Sequence, residues 1–337
     1  MKYSGIDLHA NNCVVTVMDD VGRVVGERRL ANDLAKVVAF LRPWQEELAA
    51  VAVESTYNWY WLVDGLAAAG FTVRLANTGA IKQYDGLKHS GDQTDARHLA
   101  ELLRLGILPT GTILPAAQRA IRDLARKRMQ LVRSRTAHVL AVENIVARQV
   151  GARISSNQVK RLTEDGVDQL VLPADVGLAI KSNVAVITTL NEQIERLEQR
   201  LRESVGQRSD YGLLNSVPGI GTILATTILL EIGTIDRFAG VGHFASYARC
   251  VGSCHESNGK KKGEGNRKNG NKYLAWAFVE AAQFARRYCG EAKRFYERKQ
   301  AKTNAVVAAK ALAHKLARAC YHILKESKPF DVTRCFA

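Results

Sequence analysis

Three early runs, Lys2–His9, Cys13–Asp19 and Arg23–Leu30, are short, rich in apolar and β-branched residues, and bounded by turn formers. Ala10-Asn11-Asn12 and Asp20-Val21-Gly22 separate them, so they read as an antiparallel meander. Asn32 is placed to cap a helix that ends before Pro43. Ala49–Val53 reads as a short apolar strand, and Trp59, Leu62, Val63 and Leu66 as the inner face of a helix ending near Gly70. Phe71–Leu75 is a further strand, and a helix is predicted from about Gln93 to Leu105, with Gly106 behind it. This is the element order of a ribonuclease-H-like α/β layer, assigned to residues 1–114.

The pattern then turns helical throughout 115–205. Ile187, Leu190, Ile194, Leu197 and Leu201 alternate three- and four-residue steps, which suits a short coiled coil or the inner face of a helical bundle. Residues 206–337 form a third, mainly helical region. It opens on Leu213-Leu214-Asn215-Ser216-Val217-Pro218-Gly219-Ile220-Gly221, followed by a helix Thr222–Ile232. A helix, a turn with two glycines and a second helix resemble a helix-hairpin-helix element. Gly219 and Gly221 would let backbone amides approach a nucleic-acid phosphate; the alternative is a plain helical turn.

Charge narrows the class of partner. The 337 residues carry 48 Lys and Arg against 33 Asp and Glu, a formal charge of +15. An excess of this size points to nucleic acid. No run approaches ~18 uninterrupted apolar residues, so no membrane span is expected. The acid at Asp7 interrupts what a signal peptide needs as an apolar run, and a cytoplasmic protein is expected. The six cysteines form no CxxC pair and read as free thiols. Between 119 and 135 lie Arg119, Arg122, Arg126, Lys127, Arg128, Arg133 and Arg135 against the single acid Asp123. That stripe is either a solvated face or a phosphate-contacting one, with Arg122 and Arg126 as candidate contacts.

Four acids suggest chemistry. Asp7 ends the first strand, Glu54 follows the strand Ala49–Val53, and Asp92 and Asp95 lie three apart at a helix start. Singly, each has an ordinary explanation as a cap or a first-turn acid. Together they would repel, by about 4 kcal/mol for a pair at ~4 Å and an effective dielectric near 20, unless a hard cation such as Mg2+ sits among them. Actin-like sugar kinases also begin with a strand and an acid, but they need later glycine-rich phosphate loops that this chain lacks. A second unusual stretch runs from His255 to Lys272. It interleaves Lys260, Lys261, Lys262, Arg267, Lys268 and Lys272 with Gly and Asn, and holds Ser257 on its glycine-rich side. The stretch is a disordered basic loop or a nucleic-acid contact anchored to the apolar helix that follows. A serine needs a base or cationic surroundings to act as a nucleophile.

These motifs carry a resemblance. Gly5-Ile6-Asp7-Leu8-His9, Val53-Glu54-Ser55-Thr56 and Asp92-Gln93-Thr94-Asp95-Ala96-Arg97 come first. Val217-Pro218-Gly219-Ile220-Gly221, Phe244-Ala245-Ser246-Tyr247-Ala248 and the block from Ser257 through Leu274 follow in order. The chain resembles the DEDD-type insertion-sequence transposases of the IS110 family, within it the IS1111 group, and a related site-specific DNA invertase. The resemblance implies a RuvC-like domain whose acids, here Asp7, Glu54, Asp92 and Asp95, bind Mg2+. It implies a C-terminal domain whose serine, here Ser257, attacks DNA and forms a phosphoserine link. Asn258 departs from the glycine that many relatives have next, and Ser246 is an alternative by spacing alone. The resemblance also implies oligomeric synapsis of DNA ends and a guide RNA encoded by the element. Two other readings stay open: an Mg2+-dependent Holliday-junction-type nuclease with a structural serine, and a non-catalytic nucleic-acid-binding protein.

Overall fold

The computed structural model describes residues 1–81, 91–253, 255–263 and 269–337. The chain divides into two compact units, Met1–Ala116 and Ala117–Ala337.

The first unit is built on strands β1 (Lys2–Leu8), β2 (Asn12–Asp19), β3 (Val24–Ala31), β4 (Leu48–Glu54), β5 (Val73–Ala76) and β6 (Thr110–Gly111). They form one sheet in the order β3-β2-β1-β4-β5-β6. The meander pairs antiparallel, β4 and β5 add in parallel, and β6 closes the far edge antiparallel. β6 is only two residues long, too short to leave a pattern in the sequence. Helices α1 (Leu34–Leu41) and α2 (Tyr60–Ala68) pack Val37, Leu41, Leu62, Val63 and Leu66 with Ile6, Leu8, Val15, Val17, Val51 and Val53. Helix α3 (Asp92–Arg104) packs its Leu99 with Ala52 and Ala76 in a separate small cluster. The cap of α1 is Asp33 rather than the expected Asn32. Asn32 is engaged elsewhere, its amide donating to the carbonyls of His9 and Ala10 at 2.9 and 3.0 Å.

Among the described residues, the second unit is helical apart from one small hairpin. It opens on a long helix, α4 (Ala116–Val150), then two short ones, α5 (Ser156–Val159) and α6 (Glu164–Asp168), then α7 (Ala174–Val205). Helix through all of 115–205 is therefore not what forms. Gly151 takes a left-handed φ of 68°, Ser155 makes a capping box with Gln158, and Pro173 starts α7, so the chain breaks and restarts. α4 and α7 run antiparallel, with Arg128 bonded to Glu198, Arg135 to Asn191 and His138 to Asn183. Ile187, Ile194 and Leu201 of the apolar seam are buried inside the chain, Ile187 with Val139, Val142 and Val146 of α4. The seam is thus an intramolecular bundle face.

The remainder comprises α8 (Ser209–Asn215), α9 (Thr222–Ile232), α10 (Val241–Tyr247), a hairpin of β7 (His255–Ser257) and β8 (Lys260–Gly263), α11 (Lys272–Tyr288), α12 (Gly290–Lys302), α13 (Ala305–Glu326) and α14 (Val332–Phe336). Phe244, Phe278, Leu312 and Leu316 lie at the centre of one core with the alanine face of α11. Phe244 and Phe278 meet edge to face, an arrangement favoured by the ring quadrupole. The alanines allow close approach: a Cβ on Gly219 would stand 2.2 Å from the carbonyl oxygen of Ala281. Among the described residues, no helix is long and apolar enough to cross a membrane.

Candidate functional site

The parallel register pairs Ile6 of β1 with Val53 of β4, so the next residues, Asp7 and Glu54, stand side by side where the two strands end. Gly5 brings α3 over them. A Cβ at that position would lie 2.1 Å from the carbonyl oxygen of Ala96 and 2.6 Å from the amide nitrogen of Ala100. With Gly5 bare, α3 rests on β1 and its first turn, which contains Asp92 and Asp95, points toward the strand ends.

A residue that the sequence reading did not single out completes the cluster. His9 Nε2 lies 3.1 Å from Asp7 Oδ2 and 3.3 Å from Asp92 Oδ1. One ligand atom from each of Asp7, His9 and Asp92 falls within 4.8 Å of the others. The signal was present: His9 follows Asp7 by two, the spacing that puts residues on one face of an extended chain. The His9 carbonyl accepts from both Asn32 and Asn58, which fixes the backbone that carries the ring. Arg29 of β3 contacts the other oxygen of Asp92 and donates to Asn12 at 2.7 Å.

The electrostatics show strain that a cation would relieve. Burial, a hydrogen bond with Asp7 and the charges of Asp7 and Asp95 push the Glu54 carboxyl up to about 8, against the opposing Leu8 backbone amide. Arg29 holds Asp92 below the usual carboxylate range, assisted by the His9 charge. Asp7 is buried, and its Oδ2 and the facing His9 Nε2 lack a hydrogen-bond partner among the described residues, since their approach is not along a hydrogen-bond direction. Buried polar atoms left this way cost about 1–3 kcal/mol each. Carboxylate oxygens and one imidazole suit a divalent ion such as Mg2+ or Mn2+, so the residues present fit a metal.

Ser257 lies in the second unit and is exposed. It is the last residue of β7 and pairs with Lys260 across a two-residue turn. Asn258 and Gly259 have φ of 52° and 68°, the left-handed pair required by a type I′ hairpin turn. Asn-Gly is a strong hairpin signal, here obscured by the surrounding charge. Lys260 and Lys262 are exposed on β8, which also contains Lys261, while Arg267 and Lys268 lie outside the described residues. Cys254 does too, and the five described cysteines are free. Lys272 begins α11 and sits 5.3 Å from the centre of the Tyr273 ring. Ser246 is exposed on α10.

The basic stripe on α4 is largely turned inward. Arg119 is buried, and Arg128 and Arg135 bond to α7. Arg122 is half-buried, 3.6 Å from Asp123. Arg126 makes a two-pronged pair with Glu231, both bonds at 2.7 Å. Glu231 is almost wholly buried, and removing one partner of such a pair costs about 3–5 kcal/mol. Lys127 and Arg133 are exposed. Gly219 meets α11, whereas the Cβ position of Gly221, at the start of α9, is open.

Comparison with known proteins finds matches along both halves of the chain. Residues 4–148 match the DEDD transposase family of IS110, and residues 211–297 match the transposase IS116/IS110/IS902 family. A probable family 20 transposase of Pseudomonas aeruginosa is 27% identical over 95% of this chain and 96% of its own length. The transposase for insertion sequence element IS1328 of Yersinia enterocolitica is 24% identical over 97% of this chain and 98% of its own. The transposase for IS1111A of Coxiella burnetii is 23% identical over 84% of this chain and 77% of its own. With both halves matched in order and relatives aligned along most of its length, the chain belongs to the IS110 family of DEDD transposases.

Proposed function

We propose that this protein cuts and rejoins DNA using Mg2+ held by Asp7, Glu54, Asp92 and Asp95, with Ser257 as the nucleophile. The observation that carries the metal half is the meeting of Asp7, His9 and Asp92 beside a Glu54 whose proton is held to about 8. When bound, the ion supplies charge neutralisation to phosphate oxygens and to the leaving oxygen. Asp7, buried, and Glu54, half-buried, would offer oxygen ligands from the sheet, and Asp92 and Asp95 would add theirs from α3. His9, fixed through its carbonyl, holds its ring nitrogen against Asp7 and Asp92. The Ser257 hydroxyl gives up its proton, Oγ bonds to phosphorus, and the phosphorus–sugar oxygen bond breaks, the sugar oxygen taking a proton. Attack by a DNA hydroxyl on the phosphoserine reverses the step and joins a new strand. Lys260, Lys261 and Lys262, next to the serine in sequence, and Lys272, at the start of α11, would neutralise backbone phosphates.

The reading extends by family likeness to element ends and target DNA as substrates, a guide RNA, a homo-oligomer and a cytoplasmic setting. A second reading, an Mg2+-dependent junction nuclease with a structural serine, is favoured by one observation: the carboxylate cluster lies wholly within the first unit. A cleavage assay on DNA carrying the element ends separates the two. The transposase gives a protein–DNA adduct that survives denaturation and disappears in Ser257→Ala. Metal-dependent cleavage without an adduct selects the nuclease.

A further inference from the structure

The segment that carries Ser257 lies between Arg249 and Asn269, and its two feet are tied together. Arg249, at a left-handed φ of 54°, donates from Nε to the Asn269 carbonyl at 3.0 Å. The Asn271 amide donates to the Tyr247 carbonyl at 2.6 Å. Gly270, at φ 88°, lies so close that a Cβ would stand 2.6 Å from that same Tyr247 oxygen.

Asn271 is also the knot of a buried polar chain. Its Oδ1 accepts from the amides of Tyr273 and Leu274 and caps α11. Its Nδ2 donates to Glu231 Oε2 at 2.7 Å, and Glu231 takes the two prongs of Arg126. Arg126 lies over the Tyr273 ring at 4.5 Å. One side-chain chain thus joins α4, α9 and the start of α11, and the Asn271 backbone extends it to α10. Asn271 and Glu231 are 8% and 3% exposed, so each polar atom depends on its neighbour.

We propose that Glu231, Asn271 and Arg126 are positioning residues that set the foot of the serine hairpin, so that Ser257 is presented from a rigid base. The proposal rests on Ser257 being the nucleophile. Asn271 is the residue through which the set acts, because its side chain and backbone each hold a different element. Arg126 belongs to this clamp rather than to the phosphate-contacting surface.

The test uses an Asn271→Asp variant of the full chain. It keeps the acceptor that caps α11 and sets a carboxylate against Glu231. Adding Glu231→Gln restores a donor facing an acceptor, with the roles reversed. Two quantities are read: the rate of denaturation-resistant adduct formation on element-end DNA, and amide exchange across residues 255–263. Asn271→Asp is expected to slow adduct formation about 100-fold, with DNA affinity little changed, because misplacement of a reacting group costs rate rather than binding. Exchange in the hairpin rises while α13 stays protected. Asn271→Asp/Glu231→Gln recovers most of both. If Asn271→Asp fails to fold, Asn271→Ser, which keeps a cap and loses the donor, takes its place. Adduct formation at the wild-type rate in a variant that has lost the Glu231 bond overturns the proposal, as does unchanged hairpin exchange. An adduct that persists in Ser257→Ala overturns the nucleophile assignment instead, and the exchange measurement still decides the clamp.

Discussion

Gly5 and Ala96 touch where no side chain fits: a Cβ on Gly5 would stand 2.1 Å from the Ala96 carbonyl oxygen. The obstacle is helix backbone, which has no rotamer to turn aside, so Gly5→Ala must push α3 off β1. The expected cost is about 3 kcal/mol, at the upper end for overpacking. Asp92 and Asp95 move with the helix, so Mn2+ binding should weaken in the fraction that still folds. Denaturant titration and Mn2+ binding by electron paramagnetic resonance read both effects. Wild-type stability in this variant would show that α3 yields more easily than the contact implies.

His9→Ala removes the ring that faces Asp7 and Asp92 without touching an acid. Divalent-ion affinity is expected to fall about 10- to 100-fold, the range seen when partners of metal ligands are lost. Calorimetric titration with Mn2+ checks it. Unchanged affinity would leave His9 as an ordinary turn residue.

Glu54 sets a pH dependence in the metal-free protein. Its carboxyl is raised from 4.5 to about 8, so between those values the folded chain keeps a proton that the unfolded chain has released. Stability from this group therefore falls as pH rises through that window, and below it the two states do not differ. Glu54→Gln should flatten the decline. Thermal melts at pH 6 and pH 8, in chelator, compare wild type with variant. A wild-type decline no steeper than that of Glu54→Gln would remove Glu54 as its source.

Salt dependence separates the two basic regions. Each phosphate contact on duplex DNA contributes about 0.9 to the slope of log K against log salt. Replacing Lys260 and Lys262 together should flatten the slope by about 2. Arg128→Ala should leave the slope unchanged and lower the melting temperature, because Arg128 is bonded to Glu198. A slope altered by Arg128→Ala alone would move the phosphate surface onto α4.

The α/β layer was legible because each strand of the meander is closed by its own turn residues and because Asp7 and Glu54 end their strands. The helical interruption at Gly151 and Pro173 was also written in residue types, but an apolar rhythm on both sides masked it. The basic stripe on α4 read as surface because a helix shows its charges and not their partners. Glu231 lies 105 residues from Arg126, and Asn271 lies 40 from Glu231. No local period links them; the packing of α4, α9 and α11 does. His9 hid for the opposite reason. It sits beside Asp7 in the chain, where a polar residue after a strand looks like the start of a turn.

The far end of the α4–α7 pair has a core of its own, with Val139, Val142 and Val146 closed by Val159, Val167, Ile180 and Val184. No member of that cluster belongs to the core that supports the serine hairpin. Energetic effects at sites without shared neighbours add independently. The tip is therefore an interchangeable cartridge: its sequence can drift or be exchanged with little consequence for the hairpin's footing. The two family matches stop at residue 148 and resume at 211, so the short helices of the tip and α7 lie between them.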